Sequence, residues 1–339
     1  VGQGDVIILL RGAHGYEILE DETQVLEIKN GPYYGPDVDR KRIDVVVAVS
    51  KTGNTLILDK NTGEPIFDFI KRKAPVSKFP GQRTCAYQPD LKLPEPFSRN
   101  EFKVEHVTDK SPEDRSYVLN QVREANYGFY PTYEINKFTI SYNLWGGAQW
   151  PGASVDPDKN ILYVTSHNLP TKFKVFESFD INKNLKFSTN FLSIGKNNKL
   201  DDIDGYPGIK PPWGSLTALN LNTGKILWQV PLGYFNKLKE KGFPDTGTAN
   251  FGGATASAGN LIFVSGTLDK LIRAFDAKTG EQLWSHELPY IGSAPPSTYQ
   301  VNDEQYIIIP ATGGWSLSKI YPELVEQGDA FVAFKLKKN

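Results

Sequence analysis

Ala274-Phe275-Asp276-Ala277-Lys278-Thr279-Gly280-Glu281-Gln282-Leu283-Trp284 has a near-copy 56 positions earlier, Ala218-Leu219-Asn220-Leu221-Asn222-Thr223-Gly224-Lys225-Ile226-Leu227-Trp228. Both read as an apolar strand, a polar turn closed by Thr-Gly, and a second apolar strand ending in Trp. Self-similarity at such a period marks an array of small sheets. One unit cannot bury both of its faces alone and must stack on the next.

Working outward from this repeat, four β units can be laid along the chain. The first, near residues 40–70, runs Ile43-Asp44-Val45-Val46-Val47-Ala48-Val49-Ser50, a tight Lys51-Thr52-Gly53-Asn54 turn, then Thr55-Leu56-Ile57-Leu58-Asp59 and a second turn at Asn61-Thr62-Gly63. The second, near 145–230, opens with Ile161-Leu162-Tyr163-Val164-Thr165 and resumes at Ser215-Leu216-Thr217-Ala218-Leu219-Asn220 after a Lys- and Asn-rich excursion over 171–212. The third, near 250–290, centres on Leu261-Ile262-Phe263-Val264 and Ile272-Arg273-Ala274-Phe275. The fourth, near 293–337, centres on Tyr306-Ile307-Ile308-Ile309 and Ala330-Phe331-Val332-Ala333-Phe334. Short β-branched and aromatic runs between such turns are what antiparallel hairpins require. Residues 1–40 find no place in the repeat, although Val6-Ile7-Ile8-Leu9-Leu10 is strand-like.

Residues 72–142 read as a long non-β insertion, punctuated by Pro75, Pro80, Pro89, Pro94 and Pro96. Within it, Ser111-Pro112-Glu113-Asp114 supplies an N-cap, a proline at the first helical position and acids in the first turn. Val118, Leu119 and Val122 follow on one face, so the spacing predicts a short helix near 112–125. Insertions of this length in compact domains commonly serve as lids or partner surfaces.

Composition narrows the class. With 38 Lys and Arg against 39 Asp and Glu, and no basic stripe, nothing points to nucleic acid. Cys85 is the only cysteine, so no disulfide closes within the chain. No apolar run is long enough for a membrane-spanning helix. The chain starts at Val1 and contains no Met, from which we expect a processed, truncated or partial sequence with any targeting segment lost before residue 1.

The repeat belongs to a longer series in register. It includes Ser50-Lys51-Thr52-Gly53-Asn54, Leu58-Asp59-Lys60-Asn61-Thr62-Gly63-Glu64-Pro65, Gln149-Trp150-Pro151-Gly152-Ala153-Ser154-Val155-Asp156-Pro157, Pro212-Trp213-Gly214, Phe251-Gly252-Gly253 and Gly313-Gly314-Trp315. Over residues 43–337 this series resembles the C-terminal half of the pyrroloquinoline-quinone (PQQ) dependent dehydrogenases, in particular the membrane-bound glucose dehydrogenase branch. The resemblance implies an all-β fold: a β-propeller of four-stranded antiparallel blades, about four of them here, half of an eight-bladed ring. It also implies PQQ, a divalent metal (Ca²⁺ or Mg²⁺), a sugar or alcohol substrate, a quinone or cytochrome electron acceptor and a periplasmic location.

In that family the Trp that ends one blade docks on the next, so Trp228 and Trp284 are expected to be packing residues, with Phe67 at the equivalent place in the first unit. A lone turn lysine such as Lys51 is ordinarily a solvated charge. The resemblance instead places it against the quinone oxygens of PQQ, where a fixed cation stabilises negative charge as electrons arrive. By the same resemblance Gln149, Trp150, Phe251, Gly252 and Trp315 are candidate cofactor contacts. Gly252-Gly253 has an alternative reading as the start of a strand, Trp150 as a wedge between blades and Trp315 as a plug at the propeller end. His14, His106, His167 and His286 show no metal-ligand spacing, and Asp201-Asp202-Ile203-Asp204 reads as an acidic solvated loop rather than a cation site.

The family's general-base aspartate follows a His-His-Asp-x-Trp-Asp type phrase, and no such phrase precedes Lys51. The base and the metal ligands are therefore expected outside this chain, in a missing N-terminal half or a complementary propeller chain. Two functions remain in play: half of a PQQ-dependent dehydrogenase, or a non-catalytic propeller scaffold like the outer-membrane assembly factors that share the Thr-Gly…Trp repeat.

Overall fold

Each Thr-Gly turn is held by its own first side chain. Asp59 Oδ1 accepts from the backbone N–H of Asn61 and Thr62 (2.7 and 2.9 Å), Asn220 Oδ1 from Asn222 and Thr223 (2.9 and 3.1 Å), and Asp276 Oδ1 from Lys278 and Thr279 (both 2.8 Å). The chain then needs a left-handed residue to turn back into the sheet. Gly63, Gly224 and Gly280 supply it at φ +74, +68 and +75°. These contacts are local, which is why the turns are readable from composition alone.

The computed structural model describes residues 37–38, 41–78, 83–176, 188–189 and 198–335; the strand-like stretch at residues 6–10 lies outside them. Between the turns run antiparallel sheets. Val45–Val49 pairs with Thr55–Asp59 as a hairpin. A larger sheet follows the order Lys225–Pro231, Gly214–Asn220, Ile161–Phe176, Phe138–Asp156, with Ser188–Thr189 added to Ile161–Phe176. Ala254–Ala256, Leu261–Val264, Leu271–Asp276 and Gln282–Glu287 form a four-stranded sheet, and Ser297–Val301, Glu304–Ala311 and Ala330–Lys335 a three-stranded one. No sheet closes on itself among the described residues.

The aromatic that ends one unit lies on the glycine turn of the next. Phe67 sits where a Gly224 Cβ would be 3.3 Å from its ring, and Trp228 where a Gly280 Cβ would be 2.7 Å from Cε3. Trp228 Nε1 also donates to the Ala277 carbonyl at 3.1 Å, and its ring meets Tyr163 at 6.0 Å. Trp284 packs edge-on against Phe334 of the following sheet at 5.2 Å. Burying much of an indole in this way contributes on the order of 2–3 kcal/mol per contact.

Residues 72–142 are not wholly non-β. Ile70–Lys73 pairs with Tyr87–Asp90 through Lys71 and Pro89, and Phe138–Asp156 begins before the insertion was expected to end. Pro89 is tolerated because a two-stranded sheet has only edges, so the N–H it lacks leaves no ladder broken on a second side. The helix spans Pro112–Val122; Ser111 Oγ accepts from Asp114 N at 3.0 Å, and Val118 and Val122 are buried in the largest core cluster. The run at Asp201–Asp204 differs from the expected solvated loop. Asp202 is buried, and Lys110 Nζ reaches Asp114, Asp202 and Asp204 at 3.3, 2.8 and 2.7 Å. An ammonium from the insertion bridges these acids, a pairing no local pattern encodes.

Candidate functional site

The turn at residues 50–54 is built to hold its lysine inward. Ser50 Oγ shares a hydrogen bond with Thr52 Oγ1 and donates to the Asn54 carbonyl, both at 2.9 Å, and Ser50 N donates to Asn54 O at 3.0 Å. Gly53 takes φ +79°, and a side chain there would collide with Ser98. On the facing strand, Gly147 lets the backbone close against the Lys51 and Ser50 carbonyls, and Ala148 N donates to Ser50 O at 3.1 Å.

Lys51 thereby lies half-buried against Phe138–Asp156. Its ammonium donates to Gln149 Oε1 and, at 3.3 Å, to the Leu144 carbonyl, and lies 6.0 Å from the Trp150 ring centroid. Both acceptors come from irregularities in that strand, where the pairing with Ile161–Phe176 slips between Ser141 and Trp145 and again between Ala148 and Ala153. Extra residues at a bulge re-aim side chains that regular pleating would turn elsewhere. Gln149 Nε2 donates to the Gly146 carbonyl at 3.2 Å, which fixes its oxygen towards Lys51. No carboxylate lies within ion-pair distance of Lys51 among the described residues. Desolvation by burial pulls its pKa below the usual lysine value. A half-buried cation with neutral partners is a ready receptor for negative charge, and the Trp150 indole beside it is 78% exposed, a flat apolar surface without a cover.

Phe251 lies in the core cluster that holds Trp145. It is 7% exposed and meets His167 edge-on at 5.1 Å and Trp145 at 6.3 Å. Gly252 is packed against the Ser265 carbonyl and Gly266 backbone, where Phe251 N donates to Gly266 O at 3.2 Å, so its missing side chain serves a close approach of two backbone segments just beyond the strands Ala254–Ala256 and Leu261–Val264. Gly253 touches Pro151 (a Cβ would be 2.6 Å away), which joins this segment to the Gln149-Trp150 bulge. Trp315 stands apart. It opens the helix Trp315–Ile320, is 61% exposed and faces the Lys319 ammonium at 5.3 Å, while Leu317 and Ile320 of the same helix share the core cluster of Trp145 and Phe251. The structure thus brings Lys51, Gln149 and Trp150 together, joins the Phe251-Gly252-Gly253 segment to them only through Gly253 and Pro151, and leaves Trp315 outside these contacts.

His167 escaped the sequence reading because its spacing to other histidines carries no signal. Fully buried, it has neither ring nitrogen hydrogen-bonded, and its pKa is lowered to about 3, first by burial and then by the charge of Lys51. Among the described residues no group of three His, Cys, Asp or Glu side chains is placed to hold a metal ion.

The profile of the family described as "Glucose/ethanol/alcohol dehydrogenase, beta-propeller domain" matches residues 35–307. The chain belongs to the PQQ-dependent dehydrogenase β-propeller family. Within it, the chain is 30% identical over 314 residues to the glycerol dehydrogenase large subunit of Gluconobacter thailandicus, covering 82% of this chain and 42% of that protein. It is 28% identical over 331 residues to the quinoprotein glucose dehydrogenase of Escherichia coli K12, covering 88% and 39%. The chain therefore spans about two fifths of the curated relatives it matches. Among solved structures, a europium-containing methanol dehydrogenase superposes with TM-score 0.54 at 17% identity, over 90% of this chain and 47% of that one. A quinohemoprotein alcohol dehydrogenase from Pseudomonas putida HK5 gives 0.52 at 19%, over 88% and 37%. At these identities the likeness speaks for the fold, an all-β propeller type with antiparallel sheets.

Proposed function

We propose that this chain forms about four blades of an eight-bladed quinoprotein propeller, the C-terminal half of a periplasmic dehydrogenase that oxidises a sugar or alcohol hydroxyl and passes electrons to a quinone or cytochrome. The observation that carries this reading is the inward Lys51 ammonium, supported by neutral Gln149 and Leu144 acceptors and flanked by the bare face of Trp150. This donor set fits PQQ: a cation for carbonyl or carboxylate oxygens and an indole face for a flat ring. PQQ, when bound, supplies a two-electron acceptor. Lys51 would set a positive charge beside the oxygens of that acceptor, Gln149 would keep the ammonium aimed, and Trp150 would offer its indole face to a flat ring and shield it from water. Phe251 and Gly252 belong to the neighbouring packed segment, joined to this one where Gly253 meets Pro151, and Trp315 lies outside these contacts. The described residues do not fit a metal; a general-base aspartate and Ca²⁺ or Mg²⁺ ligands belong, on this reading, to the rest of the ring.

Quenching of tryptophan fluorescence by PQQ in the presence of Ca²⁺ tests it. The full chain is expected to bind PQQ, and Lys51→Ala to bind at least tenfold more weakly with an unchanged far-UV circular dichroism spectrum. Equal binding by Lys51→Ala would end the role given to Lys51. No binding, either by this chain or by a longer polypeptide containing it, would leave the non-catalytic scaffold.

A further inference from the structure

We infer that a basic hollow in the insertion, between the hairpin of Ile70–Lys73 with Tyr87–Asp90 and the segment that follows it, binds inorganic phosphate. The hollow measures about 260 Å³ and is lined by Arg72, Lys92, Arg99 and Lys103 together with Asp90 and Glu101. Lys51, Gln149 and Trp150 take no part in it, so the inference is independent of the cofactor reading. The two carboxylates are answered within the wall. Glu101 accepts two N–H groups of Arg72 at 2.9 and 3.1 Å, and Asp90 Oδ2 takes Lys92 at 2.9 Å and Arg72 at 3.7 Å. Arg99 and Lys103 have no carboxylate within ion-pair distance among the described residues. The wall therefore keeps a surplus of positive charge, the condition for drawing in an anion.

Much of this wall is set before a ligand arrives. The Arg72 guanidinium lies 4.2 Å over the Phe129 ring. Arg99 donates from Nη1 to the Lys210 carbonyl at 2.7 Å and from Nη2 to the Pro211 carbonyl at 3.2 Å, while Asn168 Oδ1 accepts from its backbone N–H at 2.7 Å. These acceptors are neutral, so they orient the guanidinium without cancelling its charge. His106 lines the same hollow. Its Nδ1 accepts from the Lys103 backbone N–H at 3.3 Å and lies 3.0 Å from the Tyr142 hydroxyl, which puts the ring proton on Nε2 as a further donor.

Asp90 decides which anion fits. Both of its ion pairs fall on Oδ2, which leaves Oδ1 as an acceptor in want of a proton donor. Inorganic phosphate near neutral pH still carries an O–H, which can donate to Oδ1 while its other oxygens accept from Arg99, Lys103 and His106. Sulfate and carboxylates offer acceptors only. A phosphate monoester loses its last proton at a pKa of about 6, so it too would meet Asp90 with like charge. Since a water takes about 30 Å³ of liquid, the hollow of about 260 Å³ holds such an anion with part of its hydration.

Calorimetric titration of the full chain, without PQQ and in phosphate-free buffer, tests this with sodium phosphate, sodium sulfate and phenyl phosphate as probes. Phosphate is expected to bind and to raise Tm, and the other two to bind at least tenfold more weakly. Lys103→Ala, at an exposed position, is expected to weaken phosphate at least threefold with an unchanged Tm in the absence of anion. Asp90→Asn is expected to bring sulfate and phosphate within threefold of each other, because an amide can donate where the carboxylate could only accept. Should Asp90→Asn fail to fold, the wild-type preference and Lys103→Ala carry the test. No phosphate binding, equal affinity for sulfate or phenyl phosphate in the wild type, or an unchanged phosphate Kd in Lys103→Ala overturns the inference. So does a preserved preference in a folded Asp90→Asn. Displacement of phosphate by added PQQ would give these cations to the cofactor and overturn it as well, whereas a failed cofactor titration leaves the result untouched.

Discussion

Lys51 shows how a single side chain can change meaning with its surroundings. In a free turn an ammonium keeps its water; here it has exchanged part of that water for two neutral oxygens. Such a trade is unfavourable unless another charge arrives, which is why the proposed role and the lowered pKa share one cause, burial without a counter-ion. Gln149→Ala removes the side-chain acceptor and leaves the Leu144 carbonyl. We expect PQQ binding weakened by about fivefold, on the scale of one hydrogen bond of about 1 kcal/mol, and a larger loss for Lys51→Ala. Parallel fluorescence titrations check the order, and a stronger effect of Gln149→Ala than of Lys51→Ala would contradict it.

At the scale of elements, stability resides where units meet. Trp228 bridges one sheet and the Asp276–Gly280 turn of the next, so Trp228→Ala is expected to cost about 3 kcal/mol in urea unfolding. Gly280→Ala meets two obstacles, a φ of +75° and the Trp228 ring 2.7 Å from the new methyl. We expect it to cost about 1–3 kcal/mol in the wild type and less in the Trp228→Ala background, where the ring has gone. Additive losses in that double-mutant cycle would separate the turn from the indole. Elements of the insertion differ in how readable they are. The helix at Pro112–Val122 carries its cap and its buried face within one short stretch. The hairpin of Ile70–Lys73 with Tyr87–Asp90 was hidden by Pro89, because whether a proline breaks a strand depends on whether a neighbour needs its N–H.

For the whole molecule, pH exposes a cost of burying histidine. His167 and His106 have pKa values lowered to about 3 and about 4, in both cases first by burial. In the unfolded chain each titrates near 6.5, so below that pH the unfolded state gains protons that the folded state refuses. Stability is then complete above about pH 6.5 and falls as the pH drops towards 3, by up to about 1.4 kcal/mol per unit for the fully buried His167. Melting temperatures between pH 4 and 8 should show this slope, and His167→Gln should flatten it; an identical slope in His167→Gln would assign the acid sensitivity elsewhere.

The repeat, its turns and the stacking aromatics could be read from the chain because their determinants lie within a few residues: an Asp or Asn accepting two N–H groups, a left-handed glycine, an apolar residue at a set distance. The family likeness followed from the same short phrases. What only the tertiary structure decided is which side chains share a place. Lys51 meets Leu144 and Gln149 across 93 and 98 residues, through two strand irregularities that no periodicity announces. Trp315, a candidate by its phrase, lies outside that group, and His167, which no phrase marked, lies beside it. Local hydrogen bonding is written in local sequence; the neighbours of a buried charge depend on how distant strands slip past one another.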